Sequence, residues 1–430
     1  MTTATATTTN SAAGHAHSAT FDNRTDKLLA QLKAEGLWKH LQMLDSPMDA
    51  EIVMRGPDGK NRKALCFCSN NYLGLANHPE VIEAGIKALR DYGAGTASVR
   101  FICGTFTPHE TLEHSIARMM GTESAYTFVS AWTASEALFP TLCEPGDCII
   151  SDELNHACII DAIRLATVIK KGVQKGLYKN NLLTGPGSLE EALQKARASK
   201  DVTGQIWVVT DGVFSMEGSI ADLPAMRRLC DQYNAILIVD DSHGHGVMGT
   251  TGRGTHEHWN MVDPVGAPTS TQGRVDLFTG TLGKALGGGA GGFIAGPRRA
   301  IDLVIQRGRP TLFSNALPVT VACSANKAIE IMLREPQRVQ RLKDNVRYAR
   351  EKFKAAGFDV LPSPTAICPV IVHDTAKAIA MSKRLLELGV FVIGFGYPVV
   401  PEGHARLRCQ ISAAHTTQHI DTLVDAMKKL

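Results

Sequence analysis

Val275-Asp276-Leu277-Phe278-Thr279-Gly280-Thr281-Leu282-Gly283-Lys284-Ala285-Leu286-Gly287-Gly288-Gly289 begins as an apolar run and ends in glycines around a single lysine. The start reads as a buried strand and the end as a turn of small residues. Such a turn packs poorly as core but leaves Lys284 where a ligand can reach its amine. Alone, the segment indicates a lysine that is reactive or contacts phosphate, at the end of a strand.

The same arrangement recurs upstream and downstream. Apolar, β-type runs at 124–129, 148–150, 206–210, 235–239, 277–279 and 292–295 alternate with helical patterns at 134–143, 157–166, 189–198 and 223–233. Strands apolar on both faces and separated by helices predict a mainly parallel sheet covered on both sides. Ligands of such sheets sit beyond the carboxyl ends of the strands. Before this region, 26–44 has leucines near helical spacing, 50–63 is a polar hairpin turning at Pro57-Asp58-Gly59, 65–69 is a strand, and 79–91 and 109–120 are helices. Residues 252–273, rich in Gly, Pro, Thr and Ser, read as a surface loop. After it, 318–358 is helical with a break at Glu335-Pro336. A β-α-β-β-α order then follows at 367–372, 375–388, 390–393, 405–411 and 418–430.

The expected organisation is therefore a disordered tail (1–20), an N-terminal helix and strand segment (21–75), a large domain (76–317), and a helical linker with a small α+β domain (318–430). The tail has no Lys, Arg, Asp or Glu and lacks the basic start and apolar centre of a secretory signal; organelle import is the alternative. With 45 basic and 42 acidic residues, the charge balance makes no case for nucleic-acid or membrane-surface binding. No apolar run reaches the roughly 18 residues of a membrane span. Ten cysteines without a C-x-x-C spacing read as free thiols in a reducing compartment, and no metal site is expected.

The polar residues at the strand ends suggest a chemistry. Ile236-Leu237-Ile238-Val239-Asp240-Asp241-Ser242-His243 ends a buried strand in two acids and a histidine. A buried anion needs a cation, and a pyridinium nitrogen is one. Ser130-Ala131-Trp132-Thr133 joins a strand to a helix, where backbone N–H groups suit a phosphate. His156 starts another helix and could cover a ring; Ser215 follows another apolar strand. Together with Lys284 these meet the needs of pyridoxal phosphate: an amine for the aldehyde, a carboxylate for the ring nitrogen and amides for the phosphate. Arg406 and Arg408 alternate onto one face of a strand, and an arginine fork binds a carboxylate. Spacing does not choose between them, and a solvated basic face is the simpler alternative.

Thr279-Gly280-Thr281-Leu282-Gly283-Lys284-Ala285-Leu286-Gly287-Gly288 closely resembles the lysine segment of the α-oxoamine synthases. These fold-type I pyridoxal phosphate enzymes join an amino acid to an acyl-CoA thioester. Asn70-Asn71-Tyr72-Leu73-Gly74-Leu75, Asp240-Asp241-Ser242-His243 and Ser412-Ala413-Ala414-His415 are similar to the family too. Ser98–Thr105, Asn155–Asp161, Leu312-Phe313-Ser314-Asn315 and Gly396–Pro401 favour its glycine- and acetyl-CoA-using branch.

The resemblance implies an α/β fold-type I transferase whose large domain holds a mainly parallel seven-stranded sheet, with a small α+β C-terminal domain. It implies a cytoplasmic homodimer with shared sites (mitochondrial matrix in a eukaryotic source), and a reaction of glycine with acetyl-CoA giving 2-amino-3-oxobutyrate and CoA, linked to threonine breakdown. Lys284 is then the Schiff-base lysine and the base for the glycine α-proton, and Asp240 partners the pyridine nitrogen. His243 and Ser215 contact the phenolic oxygen and His156 stacks on the ring. Ala131 and Trp132 amides with Thr281 hold the phosphate, and Ser314 reaches the phosphate of the neighbouring subunit. Arg408, with Asn70, binds the substrate carboxylate.

Two departures bear on the acyl donor. Ala134-Ser135-Glu136 places an acid beside the phosphate loop, and Gly244-His245 follows His243, where His245 either caps a turn or reshapes the acyl-CoA side. The competing readings are a relative using alanine or a longer acyl-CoA, a glycine-forming aldolase, and a non-catalytic binding protein.

Overall fold

The computed structural model describes residues 19–264 and 274–430. Strands β1 (Ser124–Phe128), β2 (Cys148–Asp152), β3 (Gln174–Tyr178), β4 (Ile206–Asp211), β5 (Ala235–Asp240), β6 (Leu277–Thr281) and β7 (Gly292–Gly296) form one sheet in the order β1-β7-β6-β5-β4-β2-β3. Only β7 runs antiparallel to its neighbours β1 and β6; the remaining pairs are parallel. Alternate residues feed two separate cores: Val208, Leu237 and Phe278 pack on one side, and Val209, Ile238 and Leu277 on the other. Burial of both faces explains why these strands are continuous apolar runs. The expected α/β class and seven-stranded sheet are found.

Strand β3 carries no such signal. Gln174-Lys175-Gly176-Leu177-Tyr178 lies at the sheet edge with a largely open face, so its sequence is polar. Toward the N-terminus, the helix expected over 26–44 runs from Ala19 to Ala34 instead, and none of its side chains is buried. Gly36 stops it with φ of 69°: Leu37 N–H donates to Leu32 O at 2.9 Å and Gly36 N–H to Lys33 O at 3.2 Å, a Schellman closure. The helix takes the last two residues of the expected tail, and 1–18 lie outside the described residues.

Residues Leu44–Leu430 form one compact unit by contact. Within it, Glu51–Arg55 and Asn61–Cys66 make the expected hairpin. Val319–Arg334 and Pro336–Ala355 are the two long helices, broken where the proline predicts. Downstream, the single strand expected over 390–393 splits. Val390-Phe391 pairs in parallel with Leu65-Cys66, whereas Ile393–Phe395 joins Ala405–Gln410, which also pairs with Ile367–His373.

The expected surface loop is corrected over its first part. Arg253, Thr255 and His256 are buried, and Thr255–His258 is a helical turn. Asp241 holds it there, accepting from Thr255 N–H at 2.7 Å and Thr255 Oγ1 at 2.9 Å. Residues 265–273 lie outside the described set.

Candidate active site

Three strands end in buried carboxylates: β2 in Asp152, β4 in Asp211 and β5 in Asp240. Asp211 and Asp240 are direct partners in the parallel register and so share one face. Asp240 Oδ2 accepts from Thr279 Oγ1 at 2.8 Å, and its Oδ1 from Ser242 N–H at 3.0 Å. Both oxygens are thereby fixed, and neither strand-end acid faces water: Asp240 is 4% and Asp241 0% exposed.

Lys284 follows β6. Leu282, Ala285 and Leu286 are buried around it and fix its backbone, and Gly283 N–H donates to Thr281 Oγ1 at 3.1 Å. Gly287 and Gly288 take φ of 94° and 67°, which the turn requires. Lys284 makes no ion pair or hydrogen bond among the described residues. Desolvation brings its amine down to about 8 although Asp240 and Asp211 pull the other way, and the Arg408 charge adds to the lowering. Below that pH the amine is a buried cation; above it, a neutral nucleophile or base.

Acylation of the cofactor-free protein by an amine-directed reagent, mapped by mass spectrometry, should therefore rise at Lys284 through about pH 8, against about 10.4 for an ordinary lysine. Asp240→Asn removes a charge that holds the proton on Lys284, so the curve should move to lower pH. A curve centred near the ordinary lysine value would contradict this reading of the site.

The segment before helix Ala131–Leu142 supplies amides. Ser130 caps the helix, its Oγ accepting from Thr133 N–H at 3.1 Å. The N–H groups of Ala131 and Trp132 are left without an acceptor among the described residues, as the first turn of a helix requires. Gly292 lies against them: a Cβ there would come within 2.3 Å of the Ala131 backbone. Thr281 Oγ1 donates to Gly291 O at 3.3 Å on the same side. Glu136, expected beside this loop, accepts from the Trp132 indole N–H at 3.0 Å.

His156 caps helix Ala157–Ile169, its Nδ1 accepting from Cys158 N–H at 3.2 Å, and its ring stands edge-on to Trp132 at 6.4 Å. His243 is buried, and its Nδ1 and the Tyr72 hydroxyl share a hydrogen bond of 2.8 Å. Burial, with the Lys284 and Arg408 charges, holds His243 well below the ordinary histidine range and so neutral. Asn70 Oδ1 accepts from Tyr72 Oη at 3.3 Å and from Gln410 Nε2.

The two arginines separate. Arg406 donates to His404 O, Met216 O and Glu217 Oε1, the last at 3.1 Å. Arg408 donates from Nε to the Ser215 carbonyl at 2.6 Å and interacts with Tyr72. Both are buried, so they are not a solvated basic face. Ser215 thus meets this cluster through its backbone. Ser314 lines a crevice with Arg100, Tyr126 and Thr133 and makes no hydrogen bond to Lys284, Asp240 or His243.

His245 hydrogen-bonds through Nδ1 to the Arg253 carbonyl at 3.3 Å. It is buried, packs on Phe293 with centroids 5.4 Å apart, and lies 3.7 Å from the Asp241 carboxylate. Its Nε2 fills the space a Cβ on Gly280 would take.

Tyr72, Gln410 and Asp211 belong to the cluster without having been singled out. Tyr72 stands in the family-like stretch 70–75 without a role assigned to it there, and Gln410 carries no pattern of its own. Asp211 did carry a signal, because it ends an apolar strand as Asp240 does. Desolvation, then the Asp240 charge, push its carboxyl well above the usual range. A cavity of about 920 Å³ among Arg118, Arg253 and Lys343 contains none of these residues.

The family model described as aminotransferase class I and II matches residues 62–427. The chain belongs to this family. It is 42% identical over 402 residues to the 2-amino-3-ketobutyrate coenzyme A ligase of Salmonella typhimurium, covering 94% of this chain and 95% of that protein. It is 40% identical over 402 residues to the 8-amino-7-oxononanoate synthase of Alkaliphilus oremlandii, with the same coverage. A solved structure of SPT with PLP superposes with a TM-score of 0.83 at 28% identity, over 95% of this chain and 97% of that one. The fold-type I resemblance read from the sequence is borne out.

The residues present fit pyridoxal phosphate. An unpaired amine, a buried carboxylate with both oxygens fixed, and two helix-start amides facing a glycine all stand at the carboxyl side of one sheet.

Proposed function

We propose that the protein is a pyridoxal phosphate-dependent acyltransferase that condenses glycine with acetyl-CoA to give 2-amino-3-oxobutyrate and CoA. The observation that carries this reading is Lys284: an amine unpaired among the described residues, lowered to about 8 by burial and the Arg408 charge against the pull of Asp240 and Asp211. The 42% identity to the Salmonella ligase supports the choice of substrates.

Pyridoxal phosphate supplies, when bound, an electron sink for a carbanion next to the substrate nitrogen. Ala131 and Trp132 amides and the Thr281 hydroxyl would hold its phosphate. Asp240 would keep its ring nitrogen protonated, and His156 would cover the ring. Neutral His243, oriented by Tyr72, and Ser215 would meet its phenolic oxygen. Arg408 and Asn70 hold the glycine carboxylate, which survives in the product. The neutral Lys284 amine takes the glycine α-proton. A C–C bond then forms to the acetyl carbonyl carbon as its C–S bond to CoA breaks.

A homodimer with shared sites completes the proposal. Phe101, Ile102 and Phe313 are 64%, 66% and 71% exposed on two short helices, Arg100–Cys103 and Arg309–Phe313. Contiguous apolar surface of this kind marks an interaction site, and Ser314 follows directly, where it would serve a partner's phosphate. Among the described residues no helix is long and apolar enough to cross a membrane, and all ten cysteines are free. Both features suit a cytoplasmic or mitochondrial-matrix enzyme.

A second reading, a relative using alanine and a longer acyl-CoA, has support in the 40% identity to the 8-amino-7-oxononanoate synthase. Steady-state kinetics with glycine, alanine and serine across acyl-CoA lengths separate the two. The expected result is the highest kcat/KM for glycine with acetyl-CoA. A preference for alanine with a long acyl donor would reverse the assignment.

A further inference from the structure

Cys66 ends strand Asn61–Cys66, and Cys68 stands two residues on. Extended chain sends alternate side chains to one face, and the two Sγ atoms are 3.9 Å apart. Phe67 between them is anchored. Its N–H donates to Phe391 O at 2.9 Å, its carbonyl accepts from Gln410 N–H at 2.8 Å, and its ring stacks on His415 at 4.1 Å. Cys66 is buried against Met48, its Sγ 3.8 Å from Sδ, whereas Cys68 is half-buried and reachable. Cys68 also feels the Arg408 charge, and Ser69 and Asn70, the latter bonded to Tyr72 and Gln410, follow it in the chain.

We propose that Cys66 and Cys68 form an oxidation site for low-molecular-weight disulfides, and that closing it displaces Asn70 from the substrate carboxylate. The second clause rests on the proposed glycine site; the first does not. The thiol pair shares one hydrogen bond, which favours a thiolate on one sulfur while the other keeps its proton; the balance draws Cys66 below the ordinary thiol range, and the same hydrogen bond with desolvation holds Cys68 well above it.

The chemistry is thiol–disulfide exchange. Cys66 carries the charge and takes the Cys68 proton across their shared hydrogen bond as Cys68 Sγ attacks the small disulfide, forming a mixed disulfide on Cys68 and releasing one thiolate. Cys66 then attacks Cys68 Sγ, forming the Cys66–Cys68 bond and releasing the second. The two protein sulfurs lose two electrons, the reagent disulfide gains them, and the one proton the pair held leaves with the second reagent sulfur. Bonding requires the sulfurs to approach to about 2.05 Å. With Phe67 held from both sides, Cys68 and the segment behind it are the part free to move.

The test uses the full chain loaded with pyridoxal phosphate and oxidised glutathione as the probe. Tryptic peptide 64–87 contains these two cysteines and no others. After treatment it should lose two hydrogens and resist alkylation. kcat/KM for glycine should fall roughly 10²-fold, as a misplacement of about 1 Å produces, and dithiothreitol should restore it. Cys66→Ala should trap glutathione on Cys68, and Cys68→Ala should take none in this peptide and keep its glycine kinetics. The proposal is overturned if the wild-type peptide keeps both thiols, if Cys68→Ala loses activity as wild type does, or if the disulfide closes with glycine kinetics unchanged. The peptide mass is read without turnover, so it decides on the thiol pair even where glycine proves not to be the substrate.

Discussion

Lys284→Ala should lower turnover of glycine and acetyl-CoA by about 10⁴-fold, the upper range of what a positioned proton-transfer group contributes. The protein should fold as before. Among the described residues Lys284 makes no ion pair or hydrogen bond, and its ammonium is penalised by burial more than its carboxylate neighbours compensate. Removing it therefore takes away a desolvation cost and leaves the packing of Leu282, Ala285 and Leu286 in place. Thermal unfolding of the cofactor-free variant should match or exceed wild type. The same variant should show no visible absorbance after dialysis against pyridoxal phosphate, where wild type turns yellow. Small primary amines added to Lys284→Ala should restore part of the turnover, because the space and both carboxylates remain. A variant within tenfold of wild type would remove Lys284 from the chemistry.

The parts of this site legible in the sequence are those where a residue breaks the pattern of its element. An acid ending the run Ile236–Val239 stands out because burying it needs a reason, and the reason is visible: Thr279 and Ser242 hold both oxygens of Asp240. Asp211 breaks its strand in the same way, but only the register opposite Asp240 gives it a role. Strand β3 and the tyrosine at 72 were illegible for the opposite reason. An edge strand need not be apolar, and Tyr72 becomes part of the site only because chain segments 171 residues apart bring its hydroxyl to His243. His245 shows the limit of local reading. Next to a catalytic motif it invites a functional role, yet the side chain turns into the core between Phe293 and Asp241. The glycine at 280 makes that possible, and nothing near position 245 announces it.

Arg408→Ala should raise KM for glycine far more than it changes thermal stability, and Arg406→Ala should do the reverse. Strand alternation puts both on one face, so sequence spacing treats them alike; their partners do not. Arg406 uses Nε and Nη1 to bridge the His404 and Met216 carbonyls to Glu217. Its loss strands those acceptors and should cost about 1–3 kcal/mol of stability, with glycine binding unchanged. Arg408 uses Nε on the Ser215 carbonyl and keeps the rest of its fork for Tyr72 and a ligand. Burial pushes its guanidinium down, and the Tyr72 hydroxyl partly offsets this. A buried cation in that state gains from an incoming carboxylate, and truncating one partner of such a pair costs about 2–5 kcal/mol. That corresponds to a rise in glycine KM of roughly 30- to 4,000-fold, at about 1.4 kcal/mol per tenfold. Arg408→Lys keeps the charge but loses the planar fork, so it should fall between wild type and Arg408→Ala. KM for acetyl-CoA should stay near wild type in both, since the thioester carries no group that Arg408 is placed to hold. Equal effects of the two alanine variants on glycine KM would show that the arginines act as one basic face, and the carboxylate site would have to be sought elsewhere.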